Sequence, residues 1–207
     1  MRPAFCILEL TWGGAVRIFG LILAGGQGRR MGGVDKAQMC LGGVPLILHV
    51  RDRFEPQVEA LAISANGDAA RFGPALPVLA DAVSQGPLSG VLAGLDWAAA
   101  AGADALVTVA VDTPFFPGDL VPQLMLAGNG GLAVAQSGGR LHPTFALWPV
   151  GLRDELQAWL AAGEARVMGF MDRHHAAICD FPVRGYDGFF NLNTPEDLAQ
   201  AERLLAQ

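Results

Sequence analysis

The segment Gly25-Gly26-Gln27-Gly28-Arg29-Arg30-Met31-Gly32-Gly33-Val34-Asp35-Lys36 packs five glycines into nine residues and sets three cations beside them. Glycine lets backbone N–H groups approach a ligand closely, which makes an anion cradle. Arg29, Arg30 and Lys36 add positive charge, and the matching cargo is a phosphate chain. Two familiar phosphate motifs fail here. Met31 takes the third glycine place of G-x-G-x-x-G, and Lys36 lies between Asp35 and Ala37 rather than in Gly-Lys-Ser/Thr. The alternative reading is a tight, inert glycine turn. Lys36 is also the chain's single lysine among 14 basic residues. GC-rich codon usage would account for the 13 arginines; a role in chemistry would account for the exception.

Three further places carry polar chemistry. Asp112 in Val111-Asp112-Thr113-Pro114 follows the most apolar run, and a carboxylate leaving a buried strand is costly unless something pairs with it. Magnesium uses one or two carboxylates together with substrate phosphates and waters, so Asp112 is the metal candidate; its alternative is a turn cap before Pro114. Asn191 and Asn193 in Phe189-Phe190-Asn191-Leu192-Asn193-Thr194-Pro195 alternate onto one side of an extended segment and can read a polar ligand, or serve only the turn before a helix. Ser64-Ala65-Asn66-Gly67 and Ala80-Asp81 end short strands and could recognise a nucleoside. His49, His142, His174 and His175 lack metal-ligand spacing and are assigned to packing or turns. No Ser-His-Asp arrangement is legible.

These loops need strands to carry them. Short apolar runs predict strands at Ile18–Ala24, Leu61–Ala65, Val78–Ala80, Ala105–Val111, Leu132–Ala135, Thr144–Trp148 and Ala177–Phe181. Helical patterns fall at Pro45–Phe54, Leu88–Ala101, Leu120–Leu126, Leu152–Ala161 and Thr194–Ala206. The last has a capping Thr194, Pro195 in its first turn and Asp197 as the capping-box acid. Alternating strands and helices imply an α/β fold, a single doubly wound, mostly parallel sheet with helices on both faces. In such sheets ligands bind beyond the carboxyl ends of strands, where every candidate above lies. Residues 1–16 read as a loosely ordered extension or a misassigned start, and residues 17–207 as one domain.

Composition narrows the function classes. With 207 residues, 16% charged and 52% hydrophobic, the chain can build a sizeable core and is not a disordered sequence. The net charge of −6 argues against general nucleic-acid binding. Cys6, Cys40 and Cys179 form no C-x-x-C pair, so a disulfide framework or zinc site is not expected and a cytoplasmic setting is. No apolar run approaches the roughly 20 residues of a membrane-spanning helix.

The segment from Leu23 to Lys36 (Leu23-Ala24-Gly25-Gly26, Arg30-Met31-Gly32-Gly33, Asp35-Lys36) resembles the signature of the molybdenum cofactor guanylyltransferases. Pro87-Leu88-Ser89-Gly90, Asp112-Thr113-Pro114, His142-Pro143-Thr144, Arg166-Val167-Met168 and Asn191-Leu192-Asn193-Thr194-Pro195 fit the same family, so the likeness runs from about Ile18 to the C-terminus. The resemblance implies a nucleotidyltransferase fold and transfer of GMP from MgGTP to molybdopterin or its molybdenum-loaded form, with release of pyrophosphate. It assigns Leu23, Ala24, Gly25, Gly26 and Asp81 to the nucleotide, Lys36 to the phosphates, Asn66 to the nucleoside side, Asp112 to Mg²⁺, and Asn191 with Asn193 to molybdopterin; Arg30, by its charge in the same loop, would help neutralise the phosphates. Ser64 stands where relatives often have Asn. Molybdenum-insertion and apo-molybdoenzyme delivery proteins are the further partners it suggests. Three rivals remain: a cytidylyltransferase on the same acceptor, whose relatives usually carry Leu-Ala-Ala-Gly; a sugar-phosphate nucleotidyltransferase, with less of the chain matched; and a non-catalytic nucleotide or cofactor carrier.

Overall fold

A computed structural model of the chain describes residues 15–25, 35–73, 76–80 and 86–206. The expectations for Gly26, Arg30, Asp81 and all but the end of the N-terminal extension lie outside these residues. At that end, Val16 packs against the core. In chain order the elements are β1 (Ile18–Leu23), β2 (Cys40–Leu41), β3 (Val44–Pro45), α1 (Leu46–Phe54), β4 (Ala60–Ser64), β5 (Val78–Leu79), α2 (Pro87–Ala100), β6 (Ala105–Ala110), α3 (Leu120–Gly128), β7 (Ala133–Ser137), β8 (Arg140–Pro149), α4 (Arg153–Ala161), α5 (Val167–Arg173), β9 (Ala177–Phe181) and α6 (Pro195–Leu205). Every strand and helix expected from the sequence is present; the β2–β3 hairpin and α5 were not anticipated.

Seven strands form one sheet in the order β5-β4-β1-β6-β8-β7-β9. The pairs β1–β4, β1–β6, β4–β5 and β7–β9 are parallel, whereas β8 runs antiparallel to β6 and β7. All six residues of β6 are buried, as a strand covered on both faces requires. One face carries Ile47, Val50 and Phe54 of α1 and Leu120, Val121 and Leu124 of α3. The other carries Leu88, Val91 and Leu95 of α2 with Leu156 of α4 and Phe170 of α5. This is the expected doubly wound α/β arrangement with one reversed strand.

The reversal has a local cause. Gly138 and Gly139 join β7 to β8 with φ of 52° and 77°, the pair of positive values a two-residue hairpin turn needs. Further along, the pairing jumps from Ala135↔His142 to Val134↔Ala146. Pro143 stands in the resulting bulge, where its missing N–H costs no ladder bond.

From β1 the chain winds outward to β4 and β5, then returns through α2 to β6 on the other side of β1. The carboxyl ends of β1 and β6 therefore flank the point where strand order reverses, the usual ligand crevice of an open α/β sheet. A third apolar cluster closes this end: Met39, Leu41, Leu46, Phe115, Leu192 and Ala201. It joins the β2–β3 hairpin, the segment after β6 and α6.

Candidate active site

Lys36 opens a short 3-10 turn, Lys36–Gln38, whose N-cap Asp35 accepts the Ala37 N–H at 3.1 Å. Ala37 and Leu41 just beyond it are fully buried, so the lysine backbone is anchored while its side chain reaches toward the sheet edge. There Nζ donates to Asp112 Oδ2 at 2.8 Å and to Asn193 Oδ1 at 2.5 Å. Three residues separated by 76 and 157 positions from Lys36 to its partners thus meet at one ammonium. The side chains of Lys36 and Asp112 are 22% and 17% exposed, open enough for a ligand and enclosed enough for their charges to act strongly.

Asp112 is delivered by β6 and held from both sides. Val111 N–H donates to the Leu23 carbonyl at 3.2 Å, tying the end of β6 to the end of β1, and the Asp112 carbonyl accepts Leu192 N–H at 2.8 Å. The buried Thr113 hydroxyl lies 3.0 Å from Asn191 Oδ1 and 3.3 Å from Asp112 Oδ1, so both oxygens compete for its one proton. Asn191 is therefore linked to the aspartate through Thr113, and Asn193 through Lys36.

The Asn segment is fixed in turn by α6. Thr194 caps the helix and the capping box is complete, with Asp197 Oδ2 accepting the N–H groups of Asn193 and Thr194, each at 2.9 Å. The Asn193 backbone N–H holds the Asp197 carboxyl below its ordinary range; desolvation opposes it, and the Thr194 hydroxyl and backbone and the Lys36 charge add to the lowering.

The remaining nucleotide candidates line the neighbouring strand ends. Ala24 is buried and its N–H donates to the Ser64 carbonyl at 2.9 Å, while Gly25 is exposed beyond it. Asn66 lies past the end of β4, two strands from Asp112 across the sheet. α2 begins close over this edge because Gly90 has no side chain: a Cβ there would sit 2.4 Å from Ser64 Oγ and 3.2 Å from Leu23 Cδ2. Lys36, Asp112, Asn191 and Asn193 thus form one connected group through Lys36 and Thr113, with Leu23, Ala24, Gly25 and Asn66 arrayed beside it.

Sequence reasoning missed two contributors. Thr113 was read only as part of an Asp-Thr-Pro turn. Arg71 was not considered, yet its Nε lies 3.1 Å from Asp35 Oδ2, its Nη2 donates to the Asn66 carbonyl at 3.1 Å, and its guanidinium sits 4.6 Å over the Phe72 ring. It joins the Asn66 loop to the turn that bears Lys36. The only available signal was an arginine five residues after Asn66, which spacing alone does not distinguish from a solvated charge.

One cation, one carboxylate and amide oxygens at a strand-reversal crevice suit a phosphorylated ligand carrying a hard metal ion. Among the described residues no group of three His, Cys, Asp or Glu could hold a metal by itself. That set suits magnesium, which binds through one or two carboxylates and completes its shell with phosphates and water, rather than a zinc-like site.

Comparison with known proteins agrees. Residues 20–177 match the model of the MobA-like NTP transferase domain. The chain is 68% identical over 191 residues to a molybdenum cofactor guanylyltransferase of Cereibacter sphaeroides, covering 92% of this chain and 98% of the relative. It is 51% identical to the enzyme of the same name from Mesorhizobium japonicum, covering 91% and 96%. In fold it is similar to molybdopterin-guanine dinucleotide biosynthesis protein A from Archaeoglobus fulgidus, with a TM-score of 0.71, 24% identity and coverage of 91% and 98%. The chain belongs to the MobA-like NTP transferase family, and within it to the molybdenum cofactor guanylyltransferases.

Proposed function

We propose that this protein transfers GMP from GTP to the terminal phosphate of molybdopterin or the molybdenum cofactor, forming the guanine dinucleotide and releasing pyrophosphate. The observation that carries the reading is the Lys36 ammonium shared between Asp112 and Asn193. A single cation there borders both the nucleotide side of the crevice and the acceptor side.

An acceptor phosphate oxygen attacks the α-phosphorus, a new P–O bond forms, and the bond to the bridging oxygen breaks with its electron pair leaving on pyrophosphate. The attacking phosphate, with a second pKa of about 6, is already ionised at neutral pH and needs no general base. The protein's work is to hold the two phosphates in line and to neutralise charge on the leaving group. Lys36 supplies a compact positive charge for the phosphates. Leu23, Ala24 and Gly25 present backbone at the β1 end, and Asn66 lies about 10 Å from Asp112 across two strand spacings, a span suited to the distance from phosphates to base. Asn191 and Asn193 offer paired amides to the molybdopterin side. Asp112 is the residue that would hold Mg²⁺; bound there, the ion supplies charge neutralisation on the triphosphate. Arg30, Gly26 and Asp81 belong to the same reading through their place in the motif.

Leu23-Ala24-Gly25-Gly26 favours guanine over the cytidylyl rival. A cytoplasmic setting accords with the absence, among the described residues, of a helix long and apolar enough to cross a membrane, and with Cys40 and Cys179 as free thiols. Incubation with labelled GTP or CTP, magnesium and molybdopterin tests the reading. Guanine dinucleotide and stoichiometric pyrophosphate are expected with GTP alone. Comparable turnover of CTP would make the protein a cytidylyltransferase, and nucleotide binding without pyrophosphate would make it a carrier.

A further inference from the structure

The His142-Pro143-Thr144 segment has no place in the chemistry above, yet it builds a largely enclosed polar network. The bulge at Pro143 leaves His142 paired with Ala135 at the same sheet edge as Asp112. His142 is 7% exposed and Ser137 2% exposed. Their side chains meet with Nε2 2.8 Å from Ser137 Oγ, and Ser137 Oγ lies 2.8 Å from Asp187 Oδ1. An ionised carboxylate only accepts, so the Ser137 hydroxyl donates to Asp187, and its free lone pair accepts the His142 Nε2–H. The order His142→Ser137→Asp187 is not that of a hydrolytic triad, because the serine proton points away from the histidine.

The network ends on the segment that carries the two asparagines. Asp187 Oδ1 also accepts Phe189 N–H at 2.9 Å. Phe189, 2% exposed, stacks on the His142 ring at 4.6 Å with a 13° interplanar angle and meets Phe145 edge-on at 5.1 Å. Between them Gly188 passes so close to the chain after β6 that a Cβ would lie 2.9 Å from the Phe115 carbonyl. The backbone is thus pinned at residues 187–189 from the β7–β8 side and at Leu192 by Asp112.

We infer that His142 is a positioning residue: through Ser137, Asp187 and Phe189 it sets the placement of Asn191 and Asn193, and hence the binding of the phosphorylated acceptor rather than of the nucleotide. The assignment of that segment to the acceptor rests on the guanylyltransferase reading; the mechanical link does not.

His142→Leu removes the donor, and His142→Gln retains an N–H within reach of Ser137. For His142→Leu the acceptor KM rises about tenfold, the scale of one buried hydrogen bond lost, while the KM for GTP stays within about twofold and His142→Gln recovers most of the loss. In parallel, amide hydrogen exchange across residues 189–194 is faster in His142→Leu, with exchange over β1 unchanged. Equal rises in both KM values, an unmoved acceptor KM, failure of His142→Gln to rescue, or unchanged exchange at 189–194 would each overturn the inference. Should His142→Leu not fold, Ser137→Ala breaks the same link and carries the same expectations. Absence of guanylyl transfer by the wild-type protein would defeat the functional reading, and the exchange comparison would still decide the link.

Discussion

At the residue scale the decisive feature is one ammonium held by two oxygens from distant parts of the chain. Replacing Lys36 by Ala should lower guanylyl transfer by about 10²–10³, the scale for losing one preorganised charge-stabilising donor. Arg at this position should not restore it, because a planar fork meets a phosphate with different geometry from a point charge. Steady-state turnover of the folded variants checks both, and near-wild-type rates would remove Lys36 from the mechanism. Asp112→Asn should shift the magnesium dependence of GTP binding to higher concentration, read by titrating nucleotide affinity against the metal; an unchanged titration would move the metal elsewhere. Both residues were legible in the sequence, Lys36 by its uniqueness and its glycine-rich setting, Asp112 by its place after the most apolar strand. Their mutual contact was not, nor was the contact with Asn193. Spacing along a chain says nothing of a pairing 157 residues long, and the arrangement appears only once β1 and β6 lie side by side.

At the scale of elements, strand ends supply Leu23, Ala24, Asn66 and Asp112, while a capped helix steadies the asparagines. The capping box at Thr194 was readable from residue types, and its acid turns out to hold the Asn193 backbone as well. Thr194→Ala should therefore cost about 1 kcal/mol of stability, measured by chemical denaturation, and should also weaken acceptor binding. A loss of stability with unaltered acceptor KM would separate the cap from the site. The antiparallel course of β8 escaped the pattern argument, although Gly138-Gly139 was the hairpin signal for it. A run such as Thr144–Trp148, apolar because it is buried, has the same composition whichever way it points. The seven-residue α5 escaped for a different reason: two turns with Gly169 inside them are too short for a helical period to show. The Ser137, His142 and Asp187 network was likewise invisible, since a bulge, a hairpin and a loop must all form before those residues meet.

At the scale of the molecule, stability should carry the mark of a buried imidazole. Burial pushes His142 below its ordinary value, and Arg140 adds to the shift while Asp187 opposes it. Above about pH 6.5 the ring is neutral in both folded and unfolded chains. As pH falls below that, the unfolded chain takes up a proton that the folded ring resists, so this contribution declines until pH passes below the folded pKa. The loss of denaturation midpoint between about pH 7.5 and 5.5 should be smaller in His142→Gln than in the wild type; equal losses would assign the slope to other groups. The doubly wound fold itself was readable from alternating runs, because a sheet covered on both faces needs strands that are apolar throughout. A different consequence follows from composition. Apart from the α-amino group, a chain with one lysine offers an amine-reactive reagent a single target, and that target is the ammonium between Asp112 and Asn193. Mild acylation followed by mass measurement of the peptide holding Lys36 should read site occupancy directly, with GTP and magnesium together slowing the modification. The protein carries its own reporter group, placed by the same chemistry that needs it.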